Sequence, residues 1–544
     1  MDCLARPATP QLCRDRPNPN GDLATRLRIC LVQRCPPRGA LGAFRAVRLT
    51  SISALTERHC GMSGTRTAMA WSMAERYLGL VIGLTASMIL ARLLTPTDVG
   101  LFSLCAAVLA VAATIREFGI SEYIIQEKSL DNDKLRRAYA VAVLTAWPIG
   151  VVVLLLRHAV ASHYDQPELA HIIQVLALNF FLLPLATPAY ALLTRELRFR
   201  ALLFVHTGSG SAGALTSITL AYLGHGAISL AWGAVATVAA QVVGVTIARP
   251  RSSFLLPSLN GIGPIFRFGS TLVSGRIIES TTNNAHEFII AHYFGFAAVG
   301  LFSRAKGLVD IFHSSVTVAV ARVATPDMAA ALRNNQSLAA TFARGTSIFT
   351  ALSWSFCGYV ALTAHELILL MFGSQWGGSA PLGTLLAMAM LPTPLFALCG
   401  SVLAASGLVR RRLVIALRWC PAHLAVVVVG AHLGLAWIAG LWFVTNAVIA
   451  AASAYEVRRA LHTTFAAMYA SSLLSIPVAT VSVTSQAAVL LAGRALGLHA
   501  LALLALTLAA GLLAFFFVAA ATKHAAFNEF TRLARRLFVW QQAS

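Results

Sequence analysis

The sequence predicts an all-α integral membrane protein with about fourteen transmembrane helices, arranged as two parallel six-helix bundles followed by two C-terminal helices. Three observations lead to this fold class. Only 12% of the 544 residues are charged, about half the share found in soluble domains. Long apolar segments recur, with the basic residues between them. The pentapeptide VGLFS occurs at Val99–Ser103 and again, 200 residues later, at Val299–Ser303.

Apolar segments of about 20 residues are long enough to cross the hydrocarbon core as helices. Fourteen candidates follow Met62, and the first twelve form pairs joined by short connections. Their approximate bounds are 74–94, 99–118, 138–157, 170–193, 203–223, 227–248, 268–294, 297–322, 345–372, 380–406, 413–434, 436–457, 470–492 and 497–521.

The first 61 residues differ in composition from the rest, since they are rich in Arg, Pro and Cys and contain no long apolar stretch. A transit-type peptide and a disordered or untranslated extension before a start at Met62 both stay open, and the prolines favour the second. The predicted units are the extension 1–61, an N-terminal bundle 62–248, a cytoplasmic linker 249–267, a C-terminal bundle 268–459, and two extra helices with a basic cytoplasmic tail 460–544.

The distribution of basic residues predicts the orientation. Lys and Arg concentrate on connections after even-numbered spans and in the C-terminal tail, whereas connections after odd-numbered spans carry only Arg92, Arg157 and Arg494. Cytoplasmic loops carry the excess of Lys and Arg, so these connections and both termini are predicted to be cytoplasmic. This rule explains the net charge of +21 better than nucleic-acid binding, since the sequence contains no zinc spacing or phosphate loop.

The repeated pentapeptide aligns two longer segments without a gap, MILARLLTPTDVGLFS (88–103) and FIIAHYFGFAAVGLFS (288–303). The same offset pairs Arg76 with Arg276. An even number of spans separates the copies, which predicts parallel repeats with a binding site between the bundles. Gly100 and Gly300 are predicted to allow close approach of helices.

Charged residues within spans mark the candidate site, because each costs at least about 2.5–3.5 kcal/mol at bilayer depth. Span seven is the most polar, and its charged and amide side chains follow the spacing of one helical face. The residues predicted to bind substrate are Arg76, Arg116, Arg276, Asn283, Arg304 and Lys306. The candidate coupling residues are Glu279, His286, Glu287 and Asp310.

Each of these assignments has a structural alternative. Arg276 could pair with Glu279, and Lys306 with Asp310, as neighbours on a helix. The histidines of spans seven and eight could relay protons, or they could be hydrogen-bonded interior residues. Trp376, in an outer loop, is predicted to be an interfacial anchor.

Several segments resemble the polysaccharide-transport branch of the MOP superfamily, the Wzx-type flippases of lipid-linked oligosaccharides. They are ILARLLTPTDVGLF (89–102), REFGISEYIIQEKSL (116–130), LLTRELRFRAL (192–202), VGLFSRAKGL (299–308) and MFGSQWGGSAP (371–381). The resemblance implies a two-lobed transporter of the bacterial inner membrane. It also implies that basic residues of the first, second, seventh and eighth spans line the cavity, which here match Arg76, Arg116, Arg276, Arg304 and Lys306.

The sequence therefore predicts a flippase that moves a polyprenyl-diphosphate-linked oligosaccharide for O-antigen, capsule or exopolysaccharide synthesis. Arg suits a diphosphate because its planar fork binds two oxygens. The alternative is a cation-coupled multidrug antiporter of the same superfold, but the N-terminal bundle lacks an acid deep within a span. We expect no enzymatic activity, no cofactor and no metal, and the expected partners are the lipid-linked substrate, the membrane and polysaccharide-assembly proteins such as a polymerase.

Overall fold

The computed structural model describes residues 70–127, 129–250, 257–334 and 336–532, and every regular element within them is helical. The predicted extension 1–61 lies outside the described residues. The helices are α1 (Ala70–Leu93), α2 (Pro96–Glu117), α3 (Ile120–Gln126), α4 (Asn132–His163), α5 (Glu168–Arg195), α6 (Phe199–Tyr222), α7 (Ile228–Ala248), α8 (Gly263–Arg333), α9 (Leu338–Phe372), α10 (Ser379–Ala389), α11 (Cys399–Ala405), α12 (Val409–Leu433), α13 (Leu435–Leu461), α14 (Phe465–Leu473), α15 (Ser475–Ala495) and α16 (Ala500–Ala521).

Twelve helical segments of the described chain are long and apolar enough to cross a membrane. This finding confirms a multi-pass, all-helical membrane protein. The predicted fifth span corresponds to α6, which is a helix of 24 residues rich in Gly, Ser and Thr and is not among the twelve. The count of fourteen spans and the arrangement in two bundles stay predictions.

The predicted spans seven and eight form one long element, α8, with a sharp break at Gly295. Gly295 has φ 78°, a left-handed value that glycine adopts without steric cost. The break falls at the predicted junction between residues 294 and 297. It allows the chain to reverse its direction with no intervening loop.

The start of α2 is fixed by local sequence. Thr95 and Asp98 form a capping box, in which each side chain accepts a hydrogen bond from the other residue's backbone N–H, and Pro96 occupies the first turn. Phe118 and Gly119, both with positive φ, end α2 and turn the chain into α3. We call the end of the molecule with residues 94–96 the outer face and the end with residues 118–131 the inner face.

For the description we divide the helices by their order along the chain into an N-lobe (α1–α7) and a C-lobe (α8–α16). Within the N-lobe, α4 packs on α5 and α6 packs on α7; within the C-lobe, α12 packs on α13 and α15 on α16. The most extensive contact between the lobes joins α2 to α8. A continuous apolar core with residues from both lobes surrounds this contact toward the outer face, and the space between the lobes therefore lies alongside α2 and α8.

Candidate functional site

The two VGLFS segments meet each other between the lobes. The Ser103 hydroxyl donates a hydrogen bond to Ser303 Oγ at 3.0 Å. A Cβ at Gly100 would clash with the carbonyl of Phe296, and a Cβ at Gly300 would clash with the carbonyl of Pro96. The predicted close approach at both glycines is therefore confirmed, and the repeat forms the outer part of the contact between the lobes.

A second contact at the outer face joins α1 to the loop after α9. The indole N–H of Trp376 donates to the carbonyl of Ala91 at 2.7 Å, and Gln375 Nε2 donates to the same carbonyl and to that of Leu94. These carbonyls at the end of α1 have no acceptor role within the helix, so the C-lobe caps a helix of the N-lobe. Trp376 is fully buried, and its prediction as an interfacial anchor is wrong because its indole lies inside this contact.

The lobes also contact each other near the inner face. Arg276 Nη2 lies 2.8 Å from Glu122 Oε1, and Arg276 Nη1 lies 3.9 Å from Glu117 Oε2. Beside this ion pair Gly269 packs against Phe118, whose ring lies 4.7 Å from that of Phe266. The acidic groups that bind Arg276 thus belong to the opposite lobe.

A cavity of about 510 Å³ lies between α1, α2, α6, α7 and the second half of α8. Arg304 projects into it, and its Nη1 donates to Ser87 Oγ at 2.6 Å. The guanidinium carbon lies 5.2 Å from the ring centre of Trp376 and 5.4 Å from that of Phe372. Among the described residues Arg304 has no carboxylate partner, and its Nε is buried without a hydrogen bond. The cavity therefore contains a positive charge that the described protein does not neutralise.

Arg116 borders two smaller cavities of the N-lobe. One, of about 230 Å³, opens among α2, α3 and α5; the other, of about 440 Å³, lies among α2, α5 and α7. Arg116 Nη2 is 3.9 Å from Glu117 Oε1, which is a weak contact, and its Nε is buried without a partner in the described chain. Arg116 thus points into the N-lobe, and its role in binding the substrate stays a prediction.

The remaining predicted residues lie elsewhere. Arg76, Glu279 and Asn283 are exposed and are not among the residues that line the 510 Å³ cavity. Lys306 Nζ lies 2.6 Å from Asp310 Oδ2, so the predicted pairing of these two residues is confirmed. Their roles in substrate binding and coupling stay predictions.

Three buried titratable side chains gather in the C-lobe. His286 and Glu287 project from α8, and His286 Nε2 lies 3.5 Å from Glu287 Oε1. His423 projects from α12, and the indole of Trp442 lies between the two imidazoles, 5.0 Å from His286 and 5.2 Å from His423. No described residue makes a hydrogen bond to either nitrogen of His286 or His423. Both alternatives for His286 stay predictions.

Sequence reasoning missed Glu122 and His423. Glu122 lies on the seven-residue helix α3, inside a segment predicted to be a connection, and its partner is 154 residues away. His423 did carry a signal, because it is an isolated titratable residue within the apolar span 413–434.

Comparison with known proteins supports the same reading of the chain. A family model described as "Polysaccharide biosynthesis protein" matches residues 89–381. The lipopolysaccharide biosynthesis protein WzxC of Escherichia coli K12 is 25% identical over 329 residues, which cover 60% of this chain and 66% of WzxC. The succinoglycan biosynthesis transport protein ExoT of Rhizobium meliloti is 24% identical, over 59% of this chain and 65% of ExoT. The chain thus spans just under two thirds of these relatives, and the predicted family resemblance is confirmed.

Two solved structures share the fold. The lipid II flippase MurJ in an inward closed conformation has a TM-score of 0.67 at 9% identity, over 83% of this chain and 98% of MurJ. An inward-facing multidrug resistance MATE transporter of the MOP superfamily has a TM-score of 0.60 at 14% identity, over 71% of this chain and 94% of that transporter. At these identities the likeness concerns the fold alone.

Proposed function

The chain belongs to the polysaccharide biosynthesis protein family whose model covers residues 89–381, and on that premise we propose that it is a flippase. Its substrate class is a polyprenyl-diphosphate-linked oligosaccharide, which it moves across the bacterial inner membrane for O-antigen, capsule or exopolysaccharide synthesis. The names of the relatives WzxC and ExoT and of the structural neighbour MurJ support this class of substrate.

Arg304 carries the proposal. Arg304 is half-buried, and its Nε is fully buried. A guanidinium withdrawn from water is costly unless it is paired, yet in the described structure its neighbours are a serine hydroxyl and two aromatic rings. These neighbours orient the group but leave its charge available. A diphosphate that enters the 510 Å³ cavity would supply the missing anion and could accept two parallel hydrogen bonds from the fork.

The contacts between the lobes suit alternating access. The serine pair and the Trp376 contact join the lobes at the outer face, and the Arg276 ion pair joins them at the inner face. For the cavity to open toward one side of the membrane, the contacts between the lobes on that side must separate. The polar headgroup would cross within the cavity while the lipid tail stays in the bilayer.

The antiporter alternative needs an acidic cavity that can hold cationic drugs. Among the described residues that line the 510 Å³ cavity there is an arginine but neither Asp nor Glu. The charge of this cavity therefore favours an anionic ligand. In the proposed function the protein performs no covalent chemistry, has cytoplasmic termini and delivers its substrate to polysaccharide-assembly proteins such as a polymerase.

The test is deletion of the gene and complementation with the wild type, Arg304→Gln or Arg304→Lys. We expect both variants to lose surface polymer by about tenfold or more, since a charge-assisted bidentate contact is worth about 1.5–3 kcal/mol. The complete lipid-linked unit should accumulate on the cytoplasmic side. Arg157→Gln, in the last two turns of α4 and away from the residues that line the cavity, is the matched control. Normal polymer with increased sensitivity to cationic drugs would contradict the proposal and support the antiporter.

A further inference from the structure

We propose that the C-lobe binds an anionic phospholipid of the cytoplasmic leaflet, with one acyl chain in a groove and the phosphate on Arg458 and Arg459. The groove has a volume of about 670 Å³ and lies between α9, the segment that joins α10 to α11, α13 and α14. It has no lining residue in common with the cavity that contains Arg304. The site is therefore separate from the proposed substrate cavity and does not depend on flippase activity.

The groove follows from the interruption between α10 and α11. Pro392 and a 3₁₀ turn separate the two helices there. The indole N–H of Trp354 donates to the carbonyl of Leu391 at 2.8 Å, and the Tyr469 hydroxyl donates to the carbonyl of Leu395 at 3.0 Å. The polar groups of these two side chains are thus used inside the protein, and among the described residues that line the groove none is charged. Such a wall favours a hydrocarbon chain over a sugar.

Small side chains of α13 form one wall of the groove. Ala447, Ala451 and Ala454 lie four and three residues apart, which places them on one face of the helix. Phe443, one turn before Ala447, and Phe465, at the start of α14, also line the groove and are 44% and 43% exposed. Exposed apolar surface of this kind marks a contact with the membrane, so the groove is accessible to a lipid from the bilayer.

Two arginines lie at the end of the groove that is predicted to be cytoplasmic. The guanidinium carbon of Arg458 is 4.8 Å from the ring centre of Phe465, which lines the groove, and 5.8 Å from that of Tyr455. Arg459 lies 5.5 Å from the same tyrosine ring. Contacts with aromatic faces orient the guanidinium groups, and the planar fork of an arginine can bind two phosphate oxygens.

The charge of these arginines is available to a ligand. Within the described chain neither Arg458 nor Arg459 forms an ion pair, and Glu456, the acid nearest to them in sequence, pairs with Arg411 and Arg418 of α12. The connection after α13 is predicted to be cytoplasmic, and the anionic headgroups of that leaflet attract basic residues next to a spanning helix. An anionic phospholipid supplies both the chain and the charge that this site can bind.

Trp354 reports whether the groove is occupied in the purified full-length protein. Its emission is the difference between the wild type and Trp354→Phe, and bromine atoms on an acyl chain quench it on contact. The test compares phosphatidylglycerol with phosphatidylcholine, both with the same brominated chains, in a neutral detergent. We expect half-maximal quenching at a concentration of phosphatidylglycerol that is about tenfold lower or less, since each basic residue favours an anionic headgroup by about fivefold.

The headgroup contact is tested with Arg458→Gln/Arg459→Gln. This variant should lose the preference for phosphatidylglycerol and keep the response to phosphatidylcholine, because the groove itself is unchanged. Arg198→Gln/Arg200→Gln, which removes two exposed arginines at the start of α6, is the matched control and should keep the preference. A preference that persists without Arg458 and Arg459 would overturn the assignment of the phosphate to them.

The chain contact is tested with Ala451→Phe, which places a ring in the groove. It should reduce the quenching by both lipids by about half or more, since a filled groove leaves no room for the chain. Ala505→Phe, on an exposed face of α16, is the matched control and should behave as the wild type. Undiminished quenching in a folded Ala451→Phe protein would contradict the location of the chain.

Equal quenching of the wild type by the two phospholipids would overturn the proposal, because it would indicate only the lipid that surrounds any membrane protein. Displacement of the brominated phosphatidylglycerol by a lower concentration of a polyprenyl diphosphate would overturn it in favour of the tail of the proposed substrate. The titration needs no transport, so its failure would leave the proposed flippase activity untouched. Failure of complementation by the wild-type gene would conversely leave the phospholipid site standing.

Discussion

Ser103 and Ser303 occupy the same place in the two copies of VGLFS, and the hydroxyl of one donates to the hydroxyl of the other at 3.0 Å. Equivalent residues of two related units touch each other where a two-fold axis passes between them. The serine pair, in the outer part of the contact between α2 and α8, is thus the contact that the predicted parallel repeats would make at a two-fold axis. Gly100 and Gly300, one turn away, make reciprocal contacts beside the serine pair.

A cross-link at the serine pair should lock the outer face. The oxygens are 3.0 Å apart, so sulfurs in Ser103→Cys/Ser303→Cys can reach bonding distance. We expect an oxidant to stop transport in the double variant and a reductant to restore it, because the outer contact can no longer open. The measurement is polysaccharide export, or flipping in vesicles, before and after reduction. Each single cysteine variant is the control, and transport that continues after complete cross-linking would show that this contact does not open during the cycle.

Alanine at Gly100 or at Gly300 should weaken the outer contact. An added Cβ meets a backbone carbonyl in both cases, and overpacking of this kind costs about 1–3 kcal/mol. Both variants should lower the thermal unfolding temperature and increase labelling of a cysteine placed at the outer end of the contact between α2 and α8. Gly208→Ala on α6, where a Cβ meets nothing within 4 Å, should be neutral or slightly stabilising. Equal behaviour of all three variants would contradict the packing argument.

The ion pair of Arg276 with Glu122 predicts the outcome of a charge swap. Arg276→Glu should impair transport, since it places an acid beside Glu117 and Glu122. Adding Glu122→Arg should restore much of the loss if the residue acts as an inner latch between the lobes. Because both side chains are more than a third exposed, the pair contributes less than about 1 kcal/mol to stability. A swap that stays as inactive as the single variant would instead support the predicted role of Arg276 in binding the substrate.

His524 predicts a pH dependence of stability. It follows α16, outside the spanning segments; its Nε2 contacts the hydroxyls of Ser347 and Ser475 at 3.0 and 3.1 Å, and its Nδ1 accepts from the N–H of Ala526. Burial lowers the pKa of His524 below its ordinary value. The unfolded chain therefore binds a proton at His524 more readily than the folded chain does. The stability that the neutral, buried His524 contributes is present above about pH 6.5, and it is lost as the pH falls toward the lowered pKa of the folded state.

Thermal unfolding at pH 7.5 and 5.5 measures this effect. The wild type should lose more stability on acidification than His524→Gln does. His225→Gln, at the exposed turn between α6 and α7, should follow the wild type. An identical loss in wild type and His524→Gln would show that other groups control the acid sensitivity.

Much of the fold could be predicted because it follows from local properties of the sequence. Apolar length sets the helices, the capping box at Thr95 starts α2, and the left-handed Gly295 falls at a predicted junction. The repeat offset also predicted that Gly100 and Gly300 allow close packing. The division of segment 380–406 into α10, a 3₁₀ turn and α11 was not predicted, because an apolar segment of sufficient length has the same hydropathy whether it is straight or broken.

The sequence by itself determined that this chain is a multi-pass helical membrane protein with an internal repeat and costly charges at Arg276, Glu287 and Arg304. Tertiary structure alone decided what those charges meet. Arg276 pairs with Glu122 of the other lobe rather than with Glu279 on its own helix. Arg304 lies against aromatic rings. Glu287 contacts His286, and Trp442 packs against both His286 and His423 of α12. The physical reason is that hydropathy and helical spacing act over a few turns, whereas an ion pair or a buried cluster forms between segments that are distant in sequence and meet only when the lobes pack.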